Sequence, residues 1–400
     1  MHYRLADKGI QMICRIFIGF PALALCLTLC TAAGYCDTVE GVDEEEGWYS
    51  LHGGTVGYWQ GAEIGRLGDA EYDWEDGPGF NADLEATLRP PAIGGELFMR
   101  VHAGRGDGAD RRLEEDGALF ADLNGNNDDN QVNPPLRLLE FIYSHRFLED
   151  RVLVTIGKTE PLIFLDDNRF ANDSATQFVG KPFINNPILD SEDEYSPLFA
   201  LGVEPAEHVA LTAFIQSTSR PRLEDEDAKK DPYTRPFNQP MVGSQLTFSP
   251  EIGGQEGNYR LYGWVQNYEH SVLAEGSDRA GYGTGVSIDQ NITETLGVFA
   301  RAGYSRREVY EVPWFWSVGA DLQNLIPGRP EDHFGIGFAG LVGSEELEED
   351  ATEYHFETYY RVALRENIGL APDLQVVTNG GGSTNSNTIV AGGLRLDLSF

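Results

Sequence analysis

Beyond position 36 the 400-residue sequence contains no cysteine; its four are Cys14, Cys26, Cys30 and Cys36. That excludes an internally disulfide-stapled scaffold and a cysteine-rich zinc site. Positive charge is scarce as well. Lys and Arg number 29 against 64 Asp and Glu, a formal net charge of −35. Nucleic acid is excluded as a partner, because phosphate binding needs a concentrated positive field, and so is a polybasic membrane-surface module. After residue 36 no apolar run approaches the roughly 20 residues that a spanning helix needs. Catalytic signatures are missing too. There is no Gly-x-Ser-x-Gly and no His-Glu-x-x-His, and the eight histidines are scattered. A non-enzymatic protein is expected; the rival reading, a barrel-borne lipase or deacylase, has no motif to carry it.

The hydrophobic share of 41% argues against disorder. Glycine is abundant at 46, with 17 Tyr and 21 Phe, a composition that suits strands and turns better than helices. At the N-terminus Arg4, Lys8 and Arg15 precede the apolar stretch from Ile16 to Cys30, and Thr31-Ala32-Ala33-Gly34 follows. A basic start, an apolar middle and small residues at the end make a secretory signal. The expected division is therefore a signal segment over 1–36 cut near Ala33 (Tyr35–Cys36 is the alternative), a short acidic stretch over 37–47, and one domain over 48–400. An exported chain without a later apolar anchor is either soluble outside the cytoplasm, for instance a glycan-binding β-protein, or an outer-membrane barrel.

Period-two alternation runs through the rest. In the terminal TIVAGGLRLDLSF, Leu394, Leu396, Leu398 and Phe400 share one face, while Gly393, Arg395, Asp397 and Ser399 share the other. Val152, Val154 and Ile156 repeat the pattern, as does EYHFETYYRVALRE, where Tyr354, Phe356, Tyr360, Val362 and Leu364 oppose His355, Glu357, Arg361 and Arg365. Strands are expected over 48–58, 80–89, 95–105, 137–147, 151–158, 197–204, 207–217, 240–249, 258–270, 280–290, 294–305, 312–321, 331–342, 353–366, 372–379 and 388–400. That is about 16, even in number and mostly near the 9–11 residues of a tilted membrane strand. Long connections (59–79, 106–136, 159–196, 218–239) interleave with short ones (90–94, 148–150, 205–206), and 291–293 and 367–371 are tight. Long loops on one rim and short turns on the other describe an outer-membrane barrel, and a soluble sandwich has no reason to show that parity. The fold class expected is all-β: a transmembrane antiparallel barrel with a water-filled lumen.

Residues 159–196 are long for an idle connection and carry their own aromatics. The expectation is a loop folded inward that narrows the lumen, with an external lid as the alternative. Asp166, Asp167, Asn168, Arg169, Asn172 and Asp173 would offer hydrogen-bond partners, while Phe164, Phe170 and Phe178 would anchor the loop. On the strands, Arg260, Gln266, Arg301, Glu357 and Arg361 are candidates to face the lumen. Trp264 shares their face, either to stack on a sugar or, the preferred reading, to pack.

At these residues the chain resembles the carbohydrate-selective porin (OprB) family. The resemblance rests on Gly157–Lys158, Asp166 to Asn168, Ala171–Asn172–Asp173 and Gln177–Phe178 in IGKTEPLIFLDDNRFANDSATQFVGKPFINNP. It continues at Pro327–Gly328–Arg329–Pro330 with Asp332, and at Glu357, Tyr359–Tyr360–Arg361, Pro372–Asp373–Leu374–Gln375 and Asn379. It implies an outer-membrane porin with small sugars as permeants. Two departures stand out. Gly380 replaces a frequent Pro, and Lys and Arg are few where sugar-selecting members often line the eyelet with arginine.

No cofactor is expected. Asp122-x-Asn124-x-Asn126 with Asp128 and Asp129 resembles half of a calcium loop, but its glycine is misplaced and no Glu closes it, so a solvated acidic loop is the preferred reading over bound Ca²⁺. The runs 42–47, 224–231 and 345–350 read as hydrated charge. Expected partners are sugars, ions and outer-membrane lipid, with a homo-oligomer left open. The acidic field favours cations, so a less selective, cation-preferring diffusion porin is the alternative function.

Overall fold

The computed structural model describes residues 48–126, 136–189, 195–218, 236–237, 239–270, 272–273 and 279–400. The leader expected over 1–36, the acidic stretch 37–47, and the charge runs 42–47 and 224–231 lie outside the described residues. Sixteen strands make one antiparallel sheet: β1 (Tyr49–Leu67), β2 (Ala70–Leu88), β3 (Glu96–Arg105), β4 (Leu136–Phe147), β5 (Val152–Thr159), β6 (Ser196–Ala206), β7 (Val209–Gln216), β8 (Met241–Phe248), β9 (Gln255–His270), β10 (Arg279–Asn291), β11 (Leu296–Ser305), β12 (Trp314–Gln323), β13 (His333–Val342), β14 (Thr352–Arg365), β15 (Ile368–Thr378) and β16 (Ile389–Ser399). A two-residue bridge, Glu251–Ile252, pairs with the start of β9. Two short helices, α1 (Arg111–Glu115) and α2 (Lys181–Ile184), lie in connections. Each strand pairs with its sequence neighbours, and β16 closes on β1, Gly54 facing Ser399 and Glu63 facing Val390. Closure leaves no edge strand, so every ladder is paired within the barrel.

The two faces of the wall are inverted relative to a water-soluble protein. On β9, Leu261 is 54% exposed and Val265 44%, whereas their neighbours Arg260 and Trp264 are 6% and 3% exposed. Phe199, Leu201, Val242, Leu246, Val318, Ile336 and Phe338 likewise face outward and open. A continuous apolar outer band with polar residues inside is what a bilayer selects, because lipid tails cover the band that water would not. Near one rim the outward positions become aromatic. Tyr304 sits 4.7 Å from Trp314, Trp316 5.4 Å from Phe338, and Phe338 stacks 5.9 Å from Tyr354, a belt suited to the membrane interface.

The parity of the connections holds, with one correction. The strand ends that open onto the connections after β3, β5 and β7 lie on the rim opposite that of 148–151, 207–208 and 366–367. The expected long loop over 59–79, however, is strand: β1 and β2 each run 19 residues and turn at Gly68–Asp69. The segment is rich in Gly and acidic residues and gives a weak local strand signal. What holds it extended is tertiary. Ala62, Ile64, Leu67 and Tyr72 pack with Ala109, Leu113 and Leu123 of the next long connection and with Val377, Ile389 and Ala391 of β15 and β16. Strand β15 also begins earlier than expected, at Ile368, so that the turn is 366–367. Pro372 lies inside it, opposite Leu394.

On the short-turn rim Asp332 fastens the 324–332 connection to β14. It accepts bonds from Arg329 Nε (2.5 Å) and Nη2 (2.8 Å), the Tyr360 hydroxyl (2.7 Å) and the Ala363 amide (2.9 Å). The Arg329 guanidinium holds its carboxyl down at about 2. A carboxyl depressed in the folded state stabilises above its unfolded value of about 4 and loses that contribution as pH falls toward the folded value. The protection factor of the Ala363 amide in hydrogen exchange is therefore expected to be constant above about pH 5 and to fall between about pH 4 and pH 2. In Asp332→Asn it should start lower and lose that dependence. An acid-insensitive wild type would contradict this account of the turn.

Candidate functional site

The segment between β5 and β6 does not stay with the strands it joins. From the short helical turn Pro161–Phe164 through α2 it is bonded to the inner face of β8–β11, β14 and β16 and packs on β13, and most of these strands lie across the barrel. The centre of this docking is Arg301 on β11. Its Nε lies 3.1 Å from an Asp166 carboxylate oxygen, its Nη1 donates to the Phe183 carbonyl (3.0 Å), and its Nη2 donates to the carbonyls of Ala171 (2.5 Å) and Ile184 (3.2 Å). One planar guanidinium thus gathers three separate stretches of the loop. Asp166 is wholly buried and has φ of +63°, a left-handed conformation that Asp tolerates better than most side chains. It also accepts from the Tyr262 hydroxyl (2.9 Å) and the Asn186 amide (2.6 Å). Burial pushes its carboxyl above the ordinary range, and Arg301 with these donors pulls against that.

Further anchors follow around the wall. Glu357 on β14 takes the backbone amides of Val179 (2.6 Å) and Gly180 (2.8 Å). Arg395 on β16 donates to the carbonyls of Ser174 (2.6 Å) and Gln177. Asn168 donates to Ser287 of β10 (3.1 Å), and Arg260 of β9 pairs with Asp289 (2.6 Å) and Asp167 (3.2 Å). The apolar side is seated on bare backbone. A Cβ on Gly297 would lie 2.1 Å from the Phe170 ring, and one on Gly337 would lie 2.7 Å from Phe183. Phe178 meets Phe183, Phe299 and Tyr359 at 5.0, 5.5 and 5.1 Å. Gly281, Gly283 and Gly285 belong to the same logic. They face inward on β10, and Cβ atoms on the last two would strike Trp264 and Tyr262. The connection over 106–126 packs on the segment in turn, with the Gly125 amide donating to Val179 (2.7 Å) and Asn126 Nδ2 to Ser174 (2.9 Å).

The sequence candidates therefore fall into two groups. Arg301, Glu357, Asp166, Asn168, Arg260 and Trp264 are buried between loop and wall. Asn172 and Asp173 are exposed, and Arg169 is 37% exposed and pairs with Glu256 at 3.0 Å. Arg361 is held to Asp397 by two bonds of 2.9 and 2.5 Å. Phe164, Phe170 and Phe178 pack in the apolar cluster that includes Leu165, Phe214 and Tyr359. Several partners escaped the sequence reading, among them Tyr262, Asn186, Ser287, Asp289 and Arg395. Arg395 stood on the polar face of the terminal strand, which was its one visible signal; Tyr262 and Asn186 carried none. Asn124 and Asn126 spend their amides on protein partners, and Asp128 and Asp129 lie outside the described residues. Among the described residues no group of three or more His, Cys, Asp or Glu could hold a metal ion.

A family profile described as "Carbohydrate-selective porin, OprB family" matches residues 69–400. An uncharacterized protein of Aquifex aeolicus (strain VF5) is 26% identical over 250 residues, 62% of this chain and 65% of that protein, just under two thirds of its length. The high-pH structure of Pseudomonas putida OprB superposes with a TM-score of 0.73 at 16% identity, over 88% of this chain and 94% of that one. The outer membrane channel DcaP of Acinetobacter baumannii gives a TM-score of 0.55 at 12% identity, over 88% and 97%. An anion-selective porin from Comamonas acidovorans gives 0.55 at 10%, over 88% and 99%. At these identities the structural likenesses speak for the fold alone.

Replacing Arg301 with Ala would leave Asp166 buried without its counter-charge, at a cost of about 3–5 kcal/mol. The loop should become a protease target in detergent-solubilised barrel, and the unfolding midpoint should fall. Gly297→Val should release Phe170 by steric conflict and open the same cleavage sites. A resistant loop in both variants would show that neither contact holds it.

Proposed function

Because the chain belongs to the carbohydrate-selective porin (OprB) family, we propose that it conducts small neutral sugars passively through a lumen narrowed by the 160–195 segment, with cations as the favoured ions. As a member it is an outer-membrane porin and not an enzyme. The observation that carries the finer reading is the Arg301 clamp, which fastens the segment to strands across the barrel from β5 and β6. A barrel of about 16 strands is too wide for its wall side chains to fill, so a segment docked inside it would set the limiting width. A neutral sugar offers hydroxyls and apolar C–H faces but no charge. Selection among such solutes then depends on width and on fixed hydrogen-bond partners.

The excess of Asp and Glu, 64 against 29 basic residues, supports the second half of the proposal. A negative potential draws cations and repels anions whatever the sugar preference. It also keeps the alternative, a less selective cation-preferring diffusion porin, in play. The two readings separate in one set of measurements. In proteoliposomes the sugar-selective porin should admit monosaccharides faster than larger oligosaccharides, and glucose should lower its ionic current. The general porin would show the cation preference without the effect of glucose. Removing 164–178 should raise conductance and flatten the dependence on sugar size. No ionic current and no sugar-driven swelling would remove both readings, and an unchanged deletion variant would remove the segment as the constriction.

A further inference from the structure

The inner face of the barrel is covered unevenly. On β9–β14 the inward residues are sealed beneath the docked segment: Ser287, Arg301, Ser317 and Glu357 are all at or below 2% exposure. On β2 and β3 several inward side chains remain partly open to water, although Thr87 is buried and His102 is 12% exposed. Asp83 is 37% exposed, Glu85 34% and Arg100 28%. The strand register aligns these residues with inward neighbours on β4 into three adjacent cross-strand rows: Asp83–His102–Arg137, Glu85–Arg100–Glu140 and Thr87–Phe98–Ile142. The first two rows carry ion pairs. His102 lies 2.9 Å from Asp83, and Arg100 lies 3.0 Å from Glu85 and 3.1 Å from Glu140. The third places an aromatic and an aliphatic side chain directly beneath them, with the Arg100 guanidinium 5.9 Å from the centroid of the Phe98 ring.

Resting on the porin reading above, we propose that the permeation path runs off-centre along β2–β4 and that the open members of these rows, Asp83, Glu85, Arg100, Phe98 and Ile142, are its sugar-contacting track, with buried Glu140 holding Arg100 in place. The chemistry fits a pyranose. Carboxylate and guanidinium groups held apart by their own pairing present acceptors and donors at fixed spacing, and vicinal hydroxyls can bridge them. Mutual pairing tempers the charge of each row, so the track binds polar neutral solutes without trapping ions. The Phe98 ring and Ile142 offer an apolar surface to the C–H face of the same sugar. Successive rows are two residues apart along the strand, about 7 Å, so the three rows extend about 13 Å, room for two or three sugar rings in line. The residues buried under the segment, by contrast, hold the constriction in place and do not meet the solute.

The test uses single-channel current in planar bilayers through the protein with Cys14, Cys26, Cys30 and Cys36 all replaced by Ser. A charged methanethiosulfonate reagent should reduce the current of Asp83→Cys and of Glu85→Cys. It should leave Ser317→Cys, which is equally inward but sealed, unaffected. In unlabelled channels Phe98→Ala and Arg100→Gln should each weaken the glucose-induced fall in current several-fold in apparent affinity. Two cysteine positions guard against one variant failing to fold. If the wild type conducts and responds to glucose, yet reagent at 83 and 85 leaves the current unchanged, the path lies elsewhere. The track is then overturned while the porin reading stands. Modified cysteines with an unaltered glucose response in Phe98→Ala and Arg100→Gln would overturn the sugar contact. A wild type without current overturns both.

Discussion

Within lipid no water is available to bond a free amide or carbonyl, so a chain without an apolar helix can cross only by pairing all of its backbone with itself. Everything else in this protein follows from that constraint. Closure of β16 on β1 satisfies the last edge. Closure in turn assigns each strand one face to lipid and one to the interior, which is why Leu261 and Val265 stand open while Arg260, Tyr262, Trp264 and Gln266 point inward. An antiparallel order with neighbouring strands in sequence then needs only alternating connections. Apart from the Gly68–Asp69 turn, the tight ones gather at one rim and the long ones at the other.

A closed wall of this size has an interior that its own side chains cannot fill, and the long connections occupy part of it. Their docking joins two kinds of contact. Buried charges provide directional bonds: Arg301, Glu357 and Arg395 each reach backbone atoms of the segment, and Arg301 also pairs with the loop's Asp166 carboxylate. Inward glycines remove the Cβ atoms that would hold aromatic rings off the sheet, and Phe170, Phe183, Tyr262 and Trp264 settle against the wall in those places. Neither device would serve alone. Buried charges without packing would remain hydrated, and rings on a flat wall would have no fixed orientation.

The result is an asymmetric interior. The side from β9 to β14 is sealed by the segment and behaves as a small protein core, with apolar residues such as Phe178, Phe299 and Phe315 fully covered. The side from β2 to β4 keeps half-exposed ion pairs and a short apolar row. On the path proposed above, rigid support and solute contact would fall to opposite walls. A substitution on the first should act through the width of the opening, and one on the second through the chemistry it offers.

The strand pattern, the approximate number of strands, the parity of the loops and the presence of one unusually informative connection were all legible in the sequence. Period-two alternation and turn residues are local, and lipid enforces them on every strand in the same way. The extended β1–β2 hairpin was not legible, since Ile64, Leu67 and Tyr72 are held straight by residues of the 106–126 connection and of β15 and β16. Nor were the roles of the inward polar residues. Alternation says that Arg301 and Arg100 both face inward, but a loop bond formed across 135 positions buries the first, while the second, paired with its strand neighbours Glu85 and Glu140, stays 28% exposed. Sequence periodicity determines to which face of the wall a side chain belongs. Only the docking of distant segments decides whether that side chain ends against protein or against the solute path, because the contact is made between residues whose separation along the chain carries no local signal.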